Sequence, residues 1–137
     1  MLVSENAMVC LQMLKTNTTL VKLDLSNNVI DYEGFVALSE ALQVNESITD
    51  LFISGNYAGS MGAAALGRAL PENKGLKELY FSGNDVGNEG MTVLCEGLAK
   101  QQGKLTHLDL GNNSIGGEGC VALGKYLKGD KNLVWAN

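Results

Sequence analysis

Residues 105–115 read LTHLDLGNNSI, from Leu105 to Ile115. Leucines stand at Leu105, Leu108 and Leu110, and Asn113 follows the last by three residues. The same pattern occurs three more times, as LVKLDLSNNVI from Leu20, ITDLFISGNYA from Ile48 and LKELYFSGNDV from Leu76. Starts at 20, 48, 76 and 105 lie 28, 28 and 29 residues apart, and Asn28, Asn56, Asn84 and Asn113 keep the same steps. A further copy begins at Leu133 and runs to Asn137. The additional residue of the third interval falls in AKQQGK, a polar stretch that a loop absorbs. Self-similarity at such a period marks a repeat architecture, in which each unit buries its apolar face only against its neighbours.

Within each copy the hydrophobic period changes. The xLxL centre alternates with period two, the pattern of a short half-buried strand. Leu23 and Leu25, Leu51 and Ile53, Leu79 and Phe81, and Leu108 and Leu110 are therefore expected to point into a core. The Asn after each strand turns the chain, and its amide is suited to bond backbone groups of the adjacent coil as one rung of a ladder. Beyond the turn the period is about 3.6, a helical stripe. Gly34, Ala37, Leu38, Ala41 and Leu42 form one such face, and Gly62, Ala65, Leu66, Ala69 and Leu70 the next. Gly90, Val93, Leu94, Gly97 and Leu98 form the third, and Gly119, Ala122, Leu123, Tyr126 and Leu127 the fourth. Asp31, Ser60 and Asn88 are candidate helix N-caps. Asn17, Asn45 and Asn73 stand where a left-handed residue closes a helix, and Pro71 lies just past Leu70. Residues 1–15 supply the helix of an earlier unit, with Cys10 and Leu14 in the places of Leu38 and Leu42.

Alternating strands and helices of this kind predict an α/β fold, a right-handed αβ solenoid. Its parallel strands, about 4.8 Å apart, line the concave side and its helices the convex side. The whole chain, 1–137, reads as one repeat domain. It comprises a partial unit 1–19, repeats 20–47, 48–75, 76–104 and 105–132, and a truncated unit 133–137. The pattern LxxLxLxxNxI followed by GxxxLxxxL resembles the leucine-rich repeats of the ribonuclease-inhibitor type, found also in NOD-like receptors and Ran GTPase-activating proteins. The resemblance runs from Cys10 to Trp135, and what it implies about function is protein binding.

Composition narrows the partner. The net charge is −5, and the ten basic residues, with Arg68 the single arginine, form no cluster, so nucleic acid is not expected. No apolar run reaches the roughly 18 residues that span a membrane. MLVSENAM has no cationic start, so no signal peptide is expected and the sequons at Asn17, Asn45 and Asn112 carry little weight. Cys10, Cys95 and Cys120 lack ligand spacing and read as reduced core or near-core thiols of a cytoplasmic protein.

Residues alternating with the buried leucines form columns on the concave side. One holds Lys22, Asp50, Glu78 and His107, continued by Trp135; a second holds Asp24, Phe52, Tyr80 and Asp109; a third holds Ser26, Ser54, Ser82 and Gly111. The first two columns are the candidate protein-binding residues, an acidic strip with adjacent aromatics at its centre. Against this stands cross-strand packing, which also favours aromatics at such positions. His107, the only histidine, has no second His or Cys for a metal and no clear nucleophile partner, so no metal, cofactor or catalytic residue is expected. GNNSIGGEG lacks the Lys-Ser/Thr ending of a phosphate loop, and the recurrence of Gly34, Gly62, Gly90 and Gly119 points to backbone packing. Met61 and Met91, beside these glycines, read as packing residues.

The expected function is a non-catalytic interaction scaffold. The alternative, a Ran-type GTPase activator, would use a loop arginine, and the post-strand loops SNNVID, SGNYAGS, SGNDVGN and GNNSIGG hold none. Because the chain starts within a helix and stops just after Trp135 without capping units, the sequence reads as part of a longer array. Its uncapped ends are then expected to favour end-to-end self-association.

Overall fold

The computed structural model describes residues 5–102 and 104–137, with side chains from Met8 onward. Residues 1–4 of the partial first unit and Gly103 of the AKQQGK loop lie outside the described residues. Five short strands form one parallel sheet in chain order: β1 (Lys22–Asp24), β2 (Asp50–Phe52), β3 (Glu78–Tyr80), β4 (His107–Asp109) and β5 (Trp135–Ala136). Helices α1 (Glu5–Met13), α2 (Tyr32–Val44), α3 (Gly59–Ala69), α4 (Gly87–Lys100) and α5 (Gly117–Gly129) alternate with them. The architecture is the α/β solenoid expected from the period. Pairing follows the repeat step, with Leu23 opposite Leu51, Leu51 opposite Leu79, and Leu79 opposite Leu108.

The core lies between sheet and helices. Leu51, Ile53, Leu79, Phe81, Leu108 and Leu110 are buried, and they meet Leu38, Leu42, Leu66, Leu70, Leu94 and Leu98 from the helices. Phe35 reaches across to Phe81 with ring centroids 5.5 Å apart. Units covered on one side only are less enclosed. Leu23, Leu25, Ala122 and Leu123 are half-buried and Leu127 is exposed. Met91 is buried in this core, but Met61, expected to pack, is exposed on α3. Of the cysteines only Cys95 is buried; Cys10 and Cys120 are exposed on α1 and α5, which have a neighbouring helix on one side only.

The asparagine ladder forms as the recurrence of Asn predicts. Asn56 Nδ2 donates to Leu25 O at 3.0 Å, while its Oδ1 accepts from Asn28 N and Ile30 N. Asn84 Nδ2 donates to Ile53 O and Asn113 Nδ2 to Phe81 O, each one coil back. The residue before each rung is left-handed: Asn27, Gly55, Gly83 and Asn112 have φ of 57°, 65°, 63° and 52°. Gly and Asn are among the residues that adopt that conformation most readily, which explains the Gly or Asn before every ladder Asn.

Helix ends depart from the sequence reading in two ways. Asp31 caps α2, its Oδ1 accepting from Gly34 N at 3.2 Å, but Ser60 and Asn88 fall inside the first turns of α3 and α4. Those helices start instead through Gly59 and Gly87 at positive φ, whose N–H groups donate to Asn84 O and Asn113 O of the next coil. Asn88 serves a neighbour: its Oδ1 accepts from Gly116 N at 2.7 Å and Gly119 N at 3.1 Å, capping α5, where Gly116 has no side chain. Asn45 and Asn73 are not left-handed either, with φ of −80° and −76°. They build a second ladder at the helix-to-strand turns. Asn45 Nδ2 donates to Leu14 O and its Oδ1 accepts from Ile48 N; Asn73 makes the matching bonds to Leu42 O and from Leu76 N.

Helices α3 and α4 touch through glycine, since a methyl on Gly97 would overlap the Gly67 carbonyl. In the register of Ala41, Ala69 and Gly97 the last repeat carries Tyr126, which is buried. A groove of about 460 Å³ lined by Thr92, Cys95, Val121, Ala122 and Tyr126 lies between α4 and α5.

Candidate functional site

Strand register places the predicted columns as expected. Lys22, Asp50, Glu78, His107 and Trp135 are successive cross-strand partners, and so are Asp24, Phe52, Tyr80 and Asp109. All nine residues share one face of the sheet, because side chains at every second position of a strand point the same way. Their local roles differ.

Asp50 is the least available. Its Oδ2 lies 2.6 Å from Lys22 Nζ and its Oδ1 accepts from Thr49 Oγ1 at 2.9 Å. The Lys22 hydrogen bond holds the Asp50 carboxyl below the usual carboxylate range and the Lys22 ammonium above its own. This pair is internally neutral and only 8% of Asp50 is accessible, so it is more anchor than presented charge. Asp24 and Asp109 are each bonded to neighbouring residues. Asp24 Oδ1 accepts from Ser26 N, which lowers its pKa, and Asp109 Oδ1 accepts from Gly111 N and Asn137 Nδ2.

Aromatic rings fill the middle of the face. Phe52 and Tyr80 stack with centroids 4.5 Å apart and planes within 5°. Trp135 lies 6.2 Å from Tyr80 and 6.4 Å from His107. Tyr80 Oη donates to Glu78 Oε2 at 3.2 Å, and Glu78 Oε1 lies 3.6 Å from His107 Nδ1. Burial, then the Glu78 charge, raises the Tyr80 phenol above its ordinary value. His107 Nδ1 is also 3.0 Å from Thr106 Oγ1, so its ring is fixed by two neighbours. Among the described residues no group of His, Cys, Asp and Glu is arranged to hold a metal ion, and no helix is long and apolar enough to cross a membrane.

The sequence model of the Leucine Rich repeat family matches residues 16–39, 72–95 and 104–124, just over half of the chain. The chain is a leucine-rich repeat protein. Its fold is also similar to that of a solved structure of leiomodin-1 actin-binding site 2, with a TM-score of 0.83 and 21% sequence identity over 100% of this chain and 79% of that one. No match was found among curated proteins.

Two elements around the face of this leucine-rich repeat protein were not legible from its columns. Asn137 Nδ2 reaches Asp109 Oδ1, and Ser54 Oγ accepts from Ser82 N and Ser82 Oγ, tying the third column together. Neither shows in a periodicity count, because each depends on side-chain reach between coils.

Proposed function

We propose that this leucine-rich repeat chain is a non-catalytic protein-binding module whose concave strand face is the contact surface. The observation that carries the reading is the continuous aromatic row of Phe52, Tyr80 and Trp135, partly accessible on a rigid sheet and flanked by carboxylates. Rigid aromatic side chains give large contact area at low entropy cost, and they dominate binding energy where they become desolvated. The matched leiomodin-1 segment is named for actin binding, which supports a protein as the class of partner. The repeat length of 28 or 29 residues, with a full helix in each unit, supports the ribonuclease-inhibitor subtype. Three free cysteines suit a reducing compartment such as the cytoplasm. The alternative, GTPase activation, would call on a loop arginine, whereas Arg68 sits in α3.

The test is an affinity capture comparing wild type with Phe52→Ser/Tyr80→Ser, with bound proteins identified by mass spectrometry. Both rings lie on the open face of the sheet, so folding should persist by circular dichroism while the partner is lost. A partner retained by the folded double variant overturns the assignment of the face.

A further inference from the structure

Phe52 and Tyr80 stand in adjacent strands with parallel planes and a centroid spacing close to the strand spacing itself. The stack therefore runs across the strands, and each ring keeps one face uncovered by the other. The free face of Phe52 is turned toward β1, where its register partner is Asp24; the other face of Tyr80 is turned toward β4, where its partner is Asp109 and the Trp135 ring lies 6.2 Å away. At both ends an aromatic face stands next to a carboxylate, Asp24 held by Ser26 and Asp109 held by Gly111 and Asn137. A π-face beside a carboxylate is the environment that a guanidinium matches, stacking through its plane and donating through its edge. The surrounding charge agrees. Lys22 is neutralised by Asp50, which leaves Asp24, Glu78 and Asp109 as the uncompensated charges of the two columns.

We infer that the concave face takes a basic segment of a partner protein, with one arginine at the Asp24–Phe52 end and a second at the Asp109–Tyr80 end. This rests on the protein-binding reading of the face given above. Asp24 and Asp109 are three strand spacings apart, about 14 Å. Two side chains four residues apart on an extended chain are separated by roughly 13 Å, so the geometry selects spacing as well as charge. Trp135, 6.2 Å from Tyr80, adds a further wall at the second end.

Fluorescein-labelled Gly/Ser peptides test this directly by anisotropy. One carries two arginines four residues apart, one carries them adjacent, one carries a single arginine, and one replaces both by glutamate. The spaced peptide should bind roughly fivefold to tenfold more tightly than the adjacent or single-arginine peptides, the size of one further exposed cation–π and ion-pair contact. Asp24→Asn and Asp109→Asn keep the Oδ1 acceptor and hence the local turn, and each should reduce the spaced peptide to single-arginine affinity. Phe52→Leu keeps apolar bulk without a π-face and should weaken the Asp24 end alone. Equal binding of the spaced and adjacent peptides, or unchanged binding by both Asp variants, overturns the inference. If that happens while Phe52→Ser/Tyr80→Ser still loses its captured partner, the basic pair fails and the protein-binding face stands. A captured partner that survives the double variant removes the face and the inference together.

Discussion

Asn84 Nδ2 donates to Ile53 O at 2.9 Å and Ser82 O at 3.1 Å, and its own N–H donates to Asn113 Oδ1. The side chain is fully buried, so Asn84→Ala removes these bonds from the core and leaves Ile53 O with Asn56 Nδ2 and Ser82 O with Gly55 N as remaining donors. The expected cost is about 1–3 kcal/mol in urea unfolding. Asn28 is the internal control, because it is exposed and, among the described residues, its Nδ2 donates to Ser26 O alone. Asn28→Ala should stay within about 0.5 kcal/mol of wild type. Equal effects at the two positions would contradict the ladder. Asn73→Ala should match Asn84→Ala, since Asn73 is also buried and donates to Leu42 O. The first ladder was readable because Asn recurs unchanged after an alternating strand. The second reads in the sequence only as helix closure, and its residue type changes along the chain: Asn17, Asn45, Asn73 and Asp130 accept from the N–H three residues on, while Gln101 donates to Leu76 O one coil back.

Between helices, glycine decides how closely elements approach, and the same residue type has opposite consequences at two sites. A Cβ on Gly97 in α4 meets the Gly67 backbone of α3, whereas one on Gly124 in α5 meets nothing within 4 Å. Gly97→Ala gains roughly 1 kcal/mol of helix propensity but drives two backbones apart. No rotamer relieves that overlap, so a net loss of about 1–3 kcal/mol is expected, with the Leu66 and Leu94 packing loosened. Gly124→Ala keeps only the propensity and should gain about 0.5–1 kcal/mol. Thermal melts of the two variants should therefore move in opposite directions, and a shared direction would refute this account of the α3–α4 contact. The period puts Gly97 in the register of Ala41 and Ala69 and Gly124 in that of Gly67, but it does not say how closely a neighbouring helix approaches either. What the period does supply is existence, order and facing of each element: Leu51, Leu79 and Leu108 behave as the alternation demands. Helix starts were less legible, because α3 and α4 begin on backbone bonds from Gly59 and Gly87 to the next coil rather than on their own capping side chains. The face was legible as columns, but not as contacts. That Asp50 is held by Lys22, and that Trp135 reaches Tyr80, depends on cross-strand reach that only the folded sheet defines.

Across the whole molecule, burial and surface charge leave stability highest near neutral pH. Asp24 and Asp50 have depressed pKa values, so their contribution is present above the ordinary carboxylate range and fades as pH falls through the folded values. Asp24 is exposed and the Lys22 partner of Asp50 is largely exposed, which keeps the acid slope shallow. The alkaline side has buried groups. Burial pushes the Cys95 thiol up to about 12, and burial, followed by the Asp130 charge, raises the Tyr126 phenol. Here the folded state holds protons that the unfolded chain releases. Stability is intact below the ordinary thiol value and is lost as pH climbs from there toward about 12, by at most about 4 kcal/mol for Cys95. Melting temperature plotted against pH should thus fall more steeply on the alkaline limb than on the acid limb. Cys95→Ala separates the two contributions of that side chain. Lost packing lowers the whole curve by a constant amount, while removal of the thiol flattens its alkaline slope. A Cys95→Ala curve that runs parallel to wild type from neutral pH to about 11 would show that the thiol is not held protonated by the core.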